Sequence, residues 1–432
     1  MPAAVAATLA APRRNRACCG DARIHPDPMT PLSGGFDIAI VAVVVLCLGV
    51  LTWPRLRAWP AWRAAITPLA SIIGSGFLVI GPILAHLAGG QAVAAMLGLC
   101  VLAWMFGSAI RRNIAALDEP ELHPRARSAA FRRWDGVAEV ALAIAYFVSV
   151  AYYLNLLGAF LLKGFDIVDL TSARAVTSVC VIGLGTLGML RGFRGIERVE
   201  VFAVSLKLAV IAGLLCALTA AHVVHDLPAP PQAAEHDAVT LMRTLLGCVL
   251  LVQGFETSRF LGATYDAQTR IRSMRHAQLL AGAIYVGFIF LVLPLIPAGA
   301  VDQGSETEIV DVVGKVARVL GPILVAAALA SQLSAAVADM GGAGGLVAEF
   351  SRGRLTPARA YLLITVVVLV LTWTTDLFRI ITFASQAFAA YYAIQCGLAA
   401  WLDTGRPLRC ALHVLSCLVA LAVVLFALPA GG

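Results

Sequence analysis

The chain has 432 residues, of which 60% are hydrophobic and 13% are charged, and its mean hydropathy is +0.87. This composition excludes a soluble globular domain, in which about 25% of residues are charged. The formal net charge of +7 does not indicate a nucleic-acid partner, because the basic residues are concentrated in alternate loops between apolar stretches. We therefore expect a protein that is embedded in a lipid bilayer.

Apolar stretches of about 18 residues or more, each long enough to cross a hydrocarbon core of about 30 Å, recur along nearly the whole chain. They predict an all-α polytopic membrane protein with about twelve transmembrane helices in one membrane domain. The predicted helices lie near residues 36–53, 66–88, 91–110, 136–162, 175–190, 199–221, 240–264, 277–298, 317–349, 358–375, 378–402 and 408–428.

The loops predict the orientation of the chain. Loops rich in arginine follow the odd-numbered helices, as at 111–133 and 270–275, whereas the alternate loops are poor in basic residues or acidic, as at 222–237 and 301–311. Loops rich in Lys and Arg stay on the cytoplasmic side of a membrane. We therefore expect a multi-pass protein of the cytoplasmic (inner) membrane with both chain ends outside.

Residues 1–28 do not fit this orientation, because the arginines between positions 13 and 23 would lie outside. The segment is rich in alanine and arginine, and its short apolar run precedes the arginines, which is not the order of a signal peptide. The sequence therefore predicts that translation begins at Met29. A disordered tail is the alternative.

No motif predicts a metal site, a cofactor or an enzyme. Most cysteines after the first 28 residues lie inside apolar spans, where a free thiol behaves as a small hydrophobe. The sequence has no CxxC pair, no HExxH motif, no ATP-binding motif and no evident nucleophile–base pair.

One lysine lies in the middle of a predicted span. Lys207 is surrounded by the apolar run EVFAVSLKLAVIAGLLCALTA. An ammonium group at membrane depth is costly and persists where it faces a partner, a cavity or a transported ion. Lys207 is therefore a candidate functional residue, and the alternative is a structural donor to helix carbonyls.

Two spans carry an interruption at mid-membrane. The second, TPLASIIGSGFLVIGPILAHLAGG, contains Gly74, Ser75 and Gly76, and the seventh, CVLLVQGFETSRFLGATYD, contains Gly254 and Glu256. Paired interruptions in two halves of a chain indicate the central site of a transporter. A half-helix that begins near Gly76 would direct its backbone N–H groups at an anion, and unwound carbonyls nearby would suit a cation.

These motifs resemble a known family. IIGSGFLVIGP resembles the first core helix of the amino acid–polyamine–organocation superfamily, and QGFETSRFLGATYDAQTRIRSM resembles its sixth. RGFRGIERVEVFAVSLKL lies where that family has its fifth helix, and ASQLSAAVADMGGAGGLVAEFSRGRLTPARAY is similar to its eighth.

The resemblance implies a leucine-transporter-like core of ten helices over residues 66–402, in two inverted five-helix repeats, 66–221 and 240–402. One helix (36–53) precedes this core and one (408–428) follows it. The leading helix is a departure from amino acid permeases and is similar to sodium/solute symporters, which leaves the coupling ion open.

The resemblance also implies a substrate site. The backbone amides of Gly74, Ser75 and Gly76 would bind a substrate carboxylate. At the opposite break, carbonyls near Gly254 and the carboxylate of Glu256 would accept an ammonium group of the substrate. The ring of Phe255 would pack over the substrate as part of a gate. Simple packing is the alternative for the aromatic ring. An ion pair with Arg259, three residues on, is the alternative for the carboxylate.

Lys207 matches the position at which proton-linked relatives have a lysine whose ammonium occupies the space of a sodium ion. The groups around it would be the carbonyls of Ala70 and Ile73 and the hydroxyls of Ser331 and Ser334. If Lys207 points elsewhere, the same two hydroxyls would be sodium ligands.

Two further groups of polar residues lie within spans. Tyr146, Ser149 and Tyr153 share one helical face, at i, i+3 and i+7, which is consistent with lining a cavity. Asp339 has no partner nearby in sequence, and we expect it either to pair across helices or to line the cytoplasmic pathway.

Together these features predict a secondary active transporter that moves amino acids or related amines by alternating access. Protons are the expected coupling ion, with sodium as the alternative. The remaining alternative is a membrane sensor or accessory protein that has kept the fold without transporting.

Overall fold

The computed structural model describes residues 34–430 except 75, 120, 192–196, 226, 234–236, 297–306 and 352–353, together with the backbone but not the side chains of 197–201 and 263. The tail 1–28, the proposed start at Met29, and Ser75 lie outside the described residues. The described part contains α-helices and short 3₁₀ segments and no β-strand. The α-helices are α1 Gly34–Leu51, α2 Pro54–Ala58, α3 Pro60–Ile72, α4 Gly76–Ala88, α5 Ala92–Asp118, α6 Ala129–Lys163, α7 Leu170–Arg191, α8 Glu197–Val224, α9 Ala238–Gly247, α10 Ala267–Val292, α11 Glu308–Val316, α12 Leu320–Phe350, α13 Pro357–Thr374, α14 Leu377–Leu402 and α15 Pro407–Phe426.

In the described residues, 10 helical stretches are long and apolar enough to cross a membrane. This confirms the all-α polytopic class. The two predicted spans 66–88 and 240–264 do not count separately, because each is divided into pieces too short to span. The first is split into α3 and α4, with 13 residues each. The second is split into α9, with 10 residues, and 3₁₀ segments.

The centre of the bundle is formed by long, buried helices. α6 packs extensively against α12 and α14, and α8 packs against α12 and α1. The outer helices α1, α7 and α15 bury a much smaller share of their residues than α6, α8, α12 and α14 do. In a bilayer these outer faces contact lipid. Their backbone groups are hydrogen-bonded within each helix, so the faces do not have to be covered by protein.

Several helices extend beyond the predicted spans. α6 begins seven residues earlier than the prediction, where the Ser128 hydroxyl accepts a hydrogen bond from the backbone N–H of Phe131. α10 begins ten residues earlier, capped by Asp266, which accepts from the N–H of Thr269. Polar N-cap residues begin helices outside the hydrocarbon core, and a criterion based on apolar length does not detect them.

The first interruption lies between α3 and α4. α3 ends at Ile72, and α4 begins at Gly76, as the glycines predict. A Cβ added to Gly74 would lie 3.3 Å from Cε1 of Tyr153, and one added to Gly76 would lie 3.1 Å from the Cα of Leu251. Small residues therefore allow the first interruption to pack closely against α6 and against the second interruption.

The second interruption follows α9. An extended residue, Gln253, precedes Gly254, whose φ is +116°, and a 3₁₀ helix then runs over Phe255–Ala263. The two interruptions are held together by Tyr285 of α10, whose hydroxyl lies 2.8 Å from the carbonyl oxygens of both Ile72 and Leu251. Carbonyls released by a broken helix are thus satisfied from a neighbouring helix, as a membrane interior requires.

Candidate functional site

A cavity of about 590 Å³ lies between α3, the 3₁₀ helix Phe255–Ala263, α6 and α12. Its wall includes the hydroxyl groups of Thr67, Ser71 and Thr257. Arg63 and Glu349 also line it, near the start of α3 and the end of α12. The cavity therefore opens at the basic end of the bundle, defined as the end where α5 terminates and α6 and α10 begin.

An acidic residue lies on the wall of this cavity. Asp339 of α12 is only 4% exposed and accepts a hydrogen bond from the hydroxyl of Ser149 on α6. Tyr146, one turn earlier on α6, also lines the cavity, and its ring packs against Gly342. Asp339 thus bonds across helices, which was one of the two expected arrangements, and it also lies on the cavity wall.

The predicted face of α6 divides between two environments. Tyr146 lines the cavity, whereas Ser149 is fully buried and donates its hydrogen bond to Asp339 on the cavity wall. Tyr153 is buried deeper, where its ring packs against Gly74 at the first interruption. The predicted helical face is therefore continuous, but only its half nearer the basic end lines the cavity.

Glu256 is fully buried at the second interruption. One of its carboxylate oxygens accepts hydrogen bonds from the backbone N–H of Gly254 and from the hydroxyl of Tyr392, each at 2.9 Å. Its other oxygen has no hydrogen-bond partner in the described part of the chain. The carboxylate therefore stabilises the break and retains one unused acceptor.

The ion pair suggested between Glu256 and Arg259 is wrong. The guanidinium of Arg259 instead contacts both carboxylate oxygens of Asp135 on α6, at 2.5 and 2.6 Å, and donates to Oε1 of Gln395 on α14 at 2.7 Å. A two-oxygen contact suits the planar guanidinium better than a single carboxylate oxygen. The nearby helices, rather than the local sequence, therefore determine the partner of Arg259.

Phe255 lies in an aromatic stack. Its ring is nearly parallel to that of Tyr392, with centroids 5.3 Å apart, and Tyr392 stacks in turn on Phe106 at 5.0 Å. Phe255 is only 1% exposed. This is the position of a packed core residue, which was the alternative to a gate.

Lys207 of α8 reaches the first interruption. Its ammonium donates a hydrogen bond of 2.8 Å to the carbonyl oxygen of Ala70, and the side chain is buried. Lys207, Gly74 and Ser331 line a second cavity of about 20 Å³, room for about one water molecule. The lysine therefore bonds to one of the two predicted carbonyls, that of Ala70, and shares a small cavity with Ser331.

The residues grouped with Lys207 do not all face the same space. Ser331 lines the small cavity, and its hydroxyl has no hydrogen-bond partner among the described residues. Ser334, one turn further along α12, is on the wall of the large cavity instead. Ile73 is fully buried at the break itself. Ser331 and Ser334, one turn apart on α12, thus line different cavities.

Comparison with known proteins decides the family. The sequence model of a family described as APC superfamily transporter matches residues 54–427. The chain belongs to the APC superfamily of transporters. An uncharacterized protein of Aquifex aeolicus (strain VF5) is 38% identical over 371 residues, which cover 85% of this chain and 90% of the relative. The family match begins at the start of α2, so the leading helix α1 lies outside it.

The resemblance noted from the sequence is therefore confirmed, and the chain is a multi-pass membrane protein of a transporter family. No group of three or more His, Cys, Asp or Glu residues that could hold a metal ion occurs in the described part of this APC transporter.

One polar network in this transporter is not evident from the sequence. Asp135 and Arg259 are joined by Gln395, whose amide donates to Asp135 at 3.1 Å, and by Asn113, whose amide donates to Gln395 Oε1 at 2.7 Å. The network connects the 3₁₀ helix after the second break to α5, α6 and α14. Asp135 lies in the arginine-rich stretch FRRWDG, and only its position among arginines could have suggested a partner.

Asp135→Asn should destabilise the transporter by about 3 kcal/mol, because loss of this partner leaves the buried guanidinium of Arg259 with Glu139, 4.0 Å away, in place of a hydrogen-bonded carboxylate. The midpoint of thermal unfolding in detergent would measure this. Glu121→Gln is the matched control, since it breaks an ion pair with Arg127 in which both side chains are mostly exposed, worth less than about 1 kcal/mol. Equal midpoints for the two variants would contradict the prediction.

Proposed function

We propose that this APC transporter moves amino acids or related amines across the cytoplasmic membrane by alternating access, and that Lys207 couples the movement to protons. The observation that carries the proposal is the hydrogen bond from the Lys207 ammonium to Ala70 at the first interruption. A hydrogen bond from a charged donor is about twice as strong as one from a neutral donor. Loss of the proton would therefore weaken the link between α8 and α3.

The two interruptions support a repeat relation. In the proposal, α3–α8 and α9–α14 are the two inverted five-helix repeats, and α1 and α15 are additional outer helices. Each repeat then begins with its interrupted helix, at Ile73–Gly76 and at Gln253–Gly254. If basic loops are cytoplasmic, the large cavity opens to the cytoplasm, and the described conformation faces inward.

The substrate would bind beside the two interruptions. The backbone N–H groups of the first turn of α4, which begins at Gly76, suit a carboxylate, and a substrate there would have to displace the close contacts of Gly74 and Gly76 with Tyr153 and Leu251. The amine would be accepted by the opposite side of the site, where Glu256 has an unused oxygen. Asp339 on the cavity wall would receive the amine along the route to the basic end.

Sodium coupling is the second candidate. The Ser331 hydroxyl without a partner and the Ala70 carbonyl are oxygen ligands of the kind that hard cations prefer. Sodium would have to displace the Lys207 ammonium from this position, which makes proton coupling the favoured candidate.

The test is uptake of a panel of labelled amino acids and amines into proteoliposomes, with a proton gradient and a sodium gradient imposed separately. Proton-driven accumulation of one or more compounds is the expected result. Accumulation only with sodium would transfer the coupling role to Ser331 and Ser334. Absence of accumulation and of counterflow exchange for every compound would overturn the assigned substrate class.

A further inference from the structure

A groove of about 410 Å³ runs between α5 and α10 on the outside of the bundle. Its wall is mainly apolar, and it includes the exposed side chains Leu97, Val101, Trp104 and Leu279, between 37% and 59% exposed. Such surface is stable in contact with hydrocarbon. Because the groove is concave and lies on the membrane-facing side of two spanning helices, an acyl chain is the occupant whose shape and chemistry it fits.

A buried positive charge lies at the basic end of this groove. Arg111 of α5 is 6% exposed, with its guanidinium 4.5 Å above the ring of Trp104. It donates to the side-chain oxygen of Gln278, which also lines the groove. In the described part of the chain no carboxylate lies within ion-pair distance of Arg111. A buried charge without a counter-charge is costly, so the site favours an anion.

A second cation adds to this charge. Arg275 is exposed and lies on α10 one turn before Gln278, the side chain that Arg111 contacts, so two like charges that repel each other lie at this end of the groove. Arg275 also has no ion-pair partner among the described residues. An anionic group placed beside both guanidinium groups would relieve this repulsion and compensate both charges.

We propose that the groove between α5 and α10 binds an anionic phospholipid, with an acyl chain against Trp104 and Leu279 and the phosphate at Arg275 beside Arg111. Basic pockets between transmembrane helices on the cytoplasmic side are suited to acidic lipid headgroups. A zwitterionic lipid could fill the apolar groove, but it would not compensate the two arginine charges as an anionic lipid does. Binding in the groove also differs from the general attraction of acidic lipids to the basic loops, because it needs one defined position on the protein.

The base of the groove contacts both interruptions. Ile72, Val252 and Tyr285 belong to its wall, and the Tyr285 hydroxyl is hydrogen-bonded at both breaks. A bound acyl chain would pack against these residues. Lipid occupancy is therefore expected to affect the packing around the breaks, in addition to holding α5 and α10 together.

The experiment is native mass spectrometry of the full chain in mild detergent, titrated with phosphatidylglycerol or with phosphatidylcholine of the same acyl chains. The wild-type protein should bind one phosphatidylglycerol in preference to phosphatidylcholine. Arg275→Gln should weaken phosphatidylglycerol binding about fivefold, because one basic side chain near a membrane surface contributes about 1 kcal/mol to attraction of an acidic lipid.

Two further variants separate headgroup and acyl-chain contributions. Arg359→Gln removes the same charge from an exposed position at the basic end, at the start of α13, and should leave binding unchanged. Gly282→Phe should reduce phosphatidylglycerol binding with both arginines intact, because Gly282 lines the groove and a Cβ there meets only ordinary contacts with Cys100. Equal binding of the two lipids, equal effects of the two arginine variants, or full binding by Gly282→Phe would each overturn the proposal.

Discussion

Lys207→Ala should reduce proton-driven accumulation of substrate by about tenfold or more, while the protein still folds and inserts. The ammonium is the charged donor to Ala70 at the first interruption, and a hydrogen bond from a charged group contributes about 1.5–3 kcal/mol. A loss of this size in one conformation corresponds to about tenfold or more in a conformational equilibrium. Alanine removes both the hydrogen bond and the titratable group, so the link between proton and conformation is lost.

The measurement is uptake into proteoliposomes under an imposed proton gradient, compared with counterflow exchange at equal pH on both sides. Lys207→Ala should lose proton-driven uptake and keep part of the counterflow exchange, because exchange needs no net proton movement. A role of Lys207 in folding alone would lower both in proportion. Proton-driven accumulation at the wild-type level in this variant would contradict the coupling role.

Lys163→Ala is the matched control. This lysine ends α6 and donates a hydrogen bond of 2.7 Å to Asp311 of α11, whose side chain is more than half exposed. The substitution removes the same charge and the same alkyl chain, but its ion pair is partly solvated and contributes at most about 1 kcal/mol. Uptake by Lys163→Ala is expected to stay near the wild-type level.

Features that depend on the membrane alone could be predicted from the sequence. A lysine inside an apolar run must find a polar partner or a cavity, because an isolated charge in hydrocarbon is costly. Clustered glycines followed by a Gly-Pro pair at mid-membrane indicate a break whose backbone groups are satisfied elsewhere, whereas the glycines of α12 lie in a continuous helix. The start of α4 near Gly76 follows from the second constraint without knowledge of the tertiary fold. That Lys207 bonds to Ala70 does not follow from the first constraint, and it could be predicted only through the family resemblance.

Features that depend on distant partners could not be predicted. Arg259 has a carboxylate three residues away in Glu256, yet it pairs with Asp135, which is 124 residues earlier in the chain. Phe255 is adjacent to the break, yet it packs in a stack with Tyr392 of α14. Both outcomes depend on which helices are neighbours in the bundle. The pattern of hydrophobic residues along one sequence does not indicate which helices these are.

Short helices were missed for a different reason. α2 has 5 residues and α11 has 9, both well below the length of about 18 residues on which the search for spans relied. The amphipathic α11 buries Ile309, Val312 and Val313. Its acidic residues Glu308 and Asp311 give the segment the composition of an extramembrane loop, which hides its apolar face in the sequence.

Gly254→Ala should destabilise the transporter by about 3 kcal/mol or more and abolish uptake. The φ angle of Gly254 is +116°, a conformation that residues with a Cβ rarely adopt, at a cost of about 1–3 kcal/mol. A Cβ would also lie 2.6 Å from the backbone carbon of Ser71 and 2.6 Å from the backbone nitrogen of Ile72. Overpacking of this kind typically costs a further 1–3 kcal/mol, because a close-packed interior has few voids.

The control for this prediction is Gly397→Ala. Gly397 lies within α14, and a Cβ there has no atom within 4 Å. Alanine in a helix interior is favoured over glycine by about 1 kcal/mol, so this variant should unfold at the wild-type temperature or slightly above it. Thermal unfolding in detergent and proteoliposome uptake would be measured for both variants.

Gly254 is the point at which the two interruptions touch through their backbones. Wild-type stability and uptake in Gly254→Ala would mean that this contact is not needed for the fold or for transport.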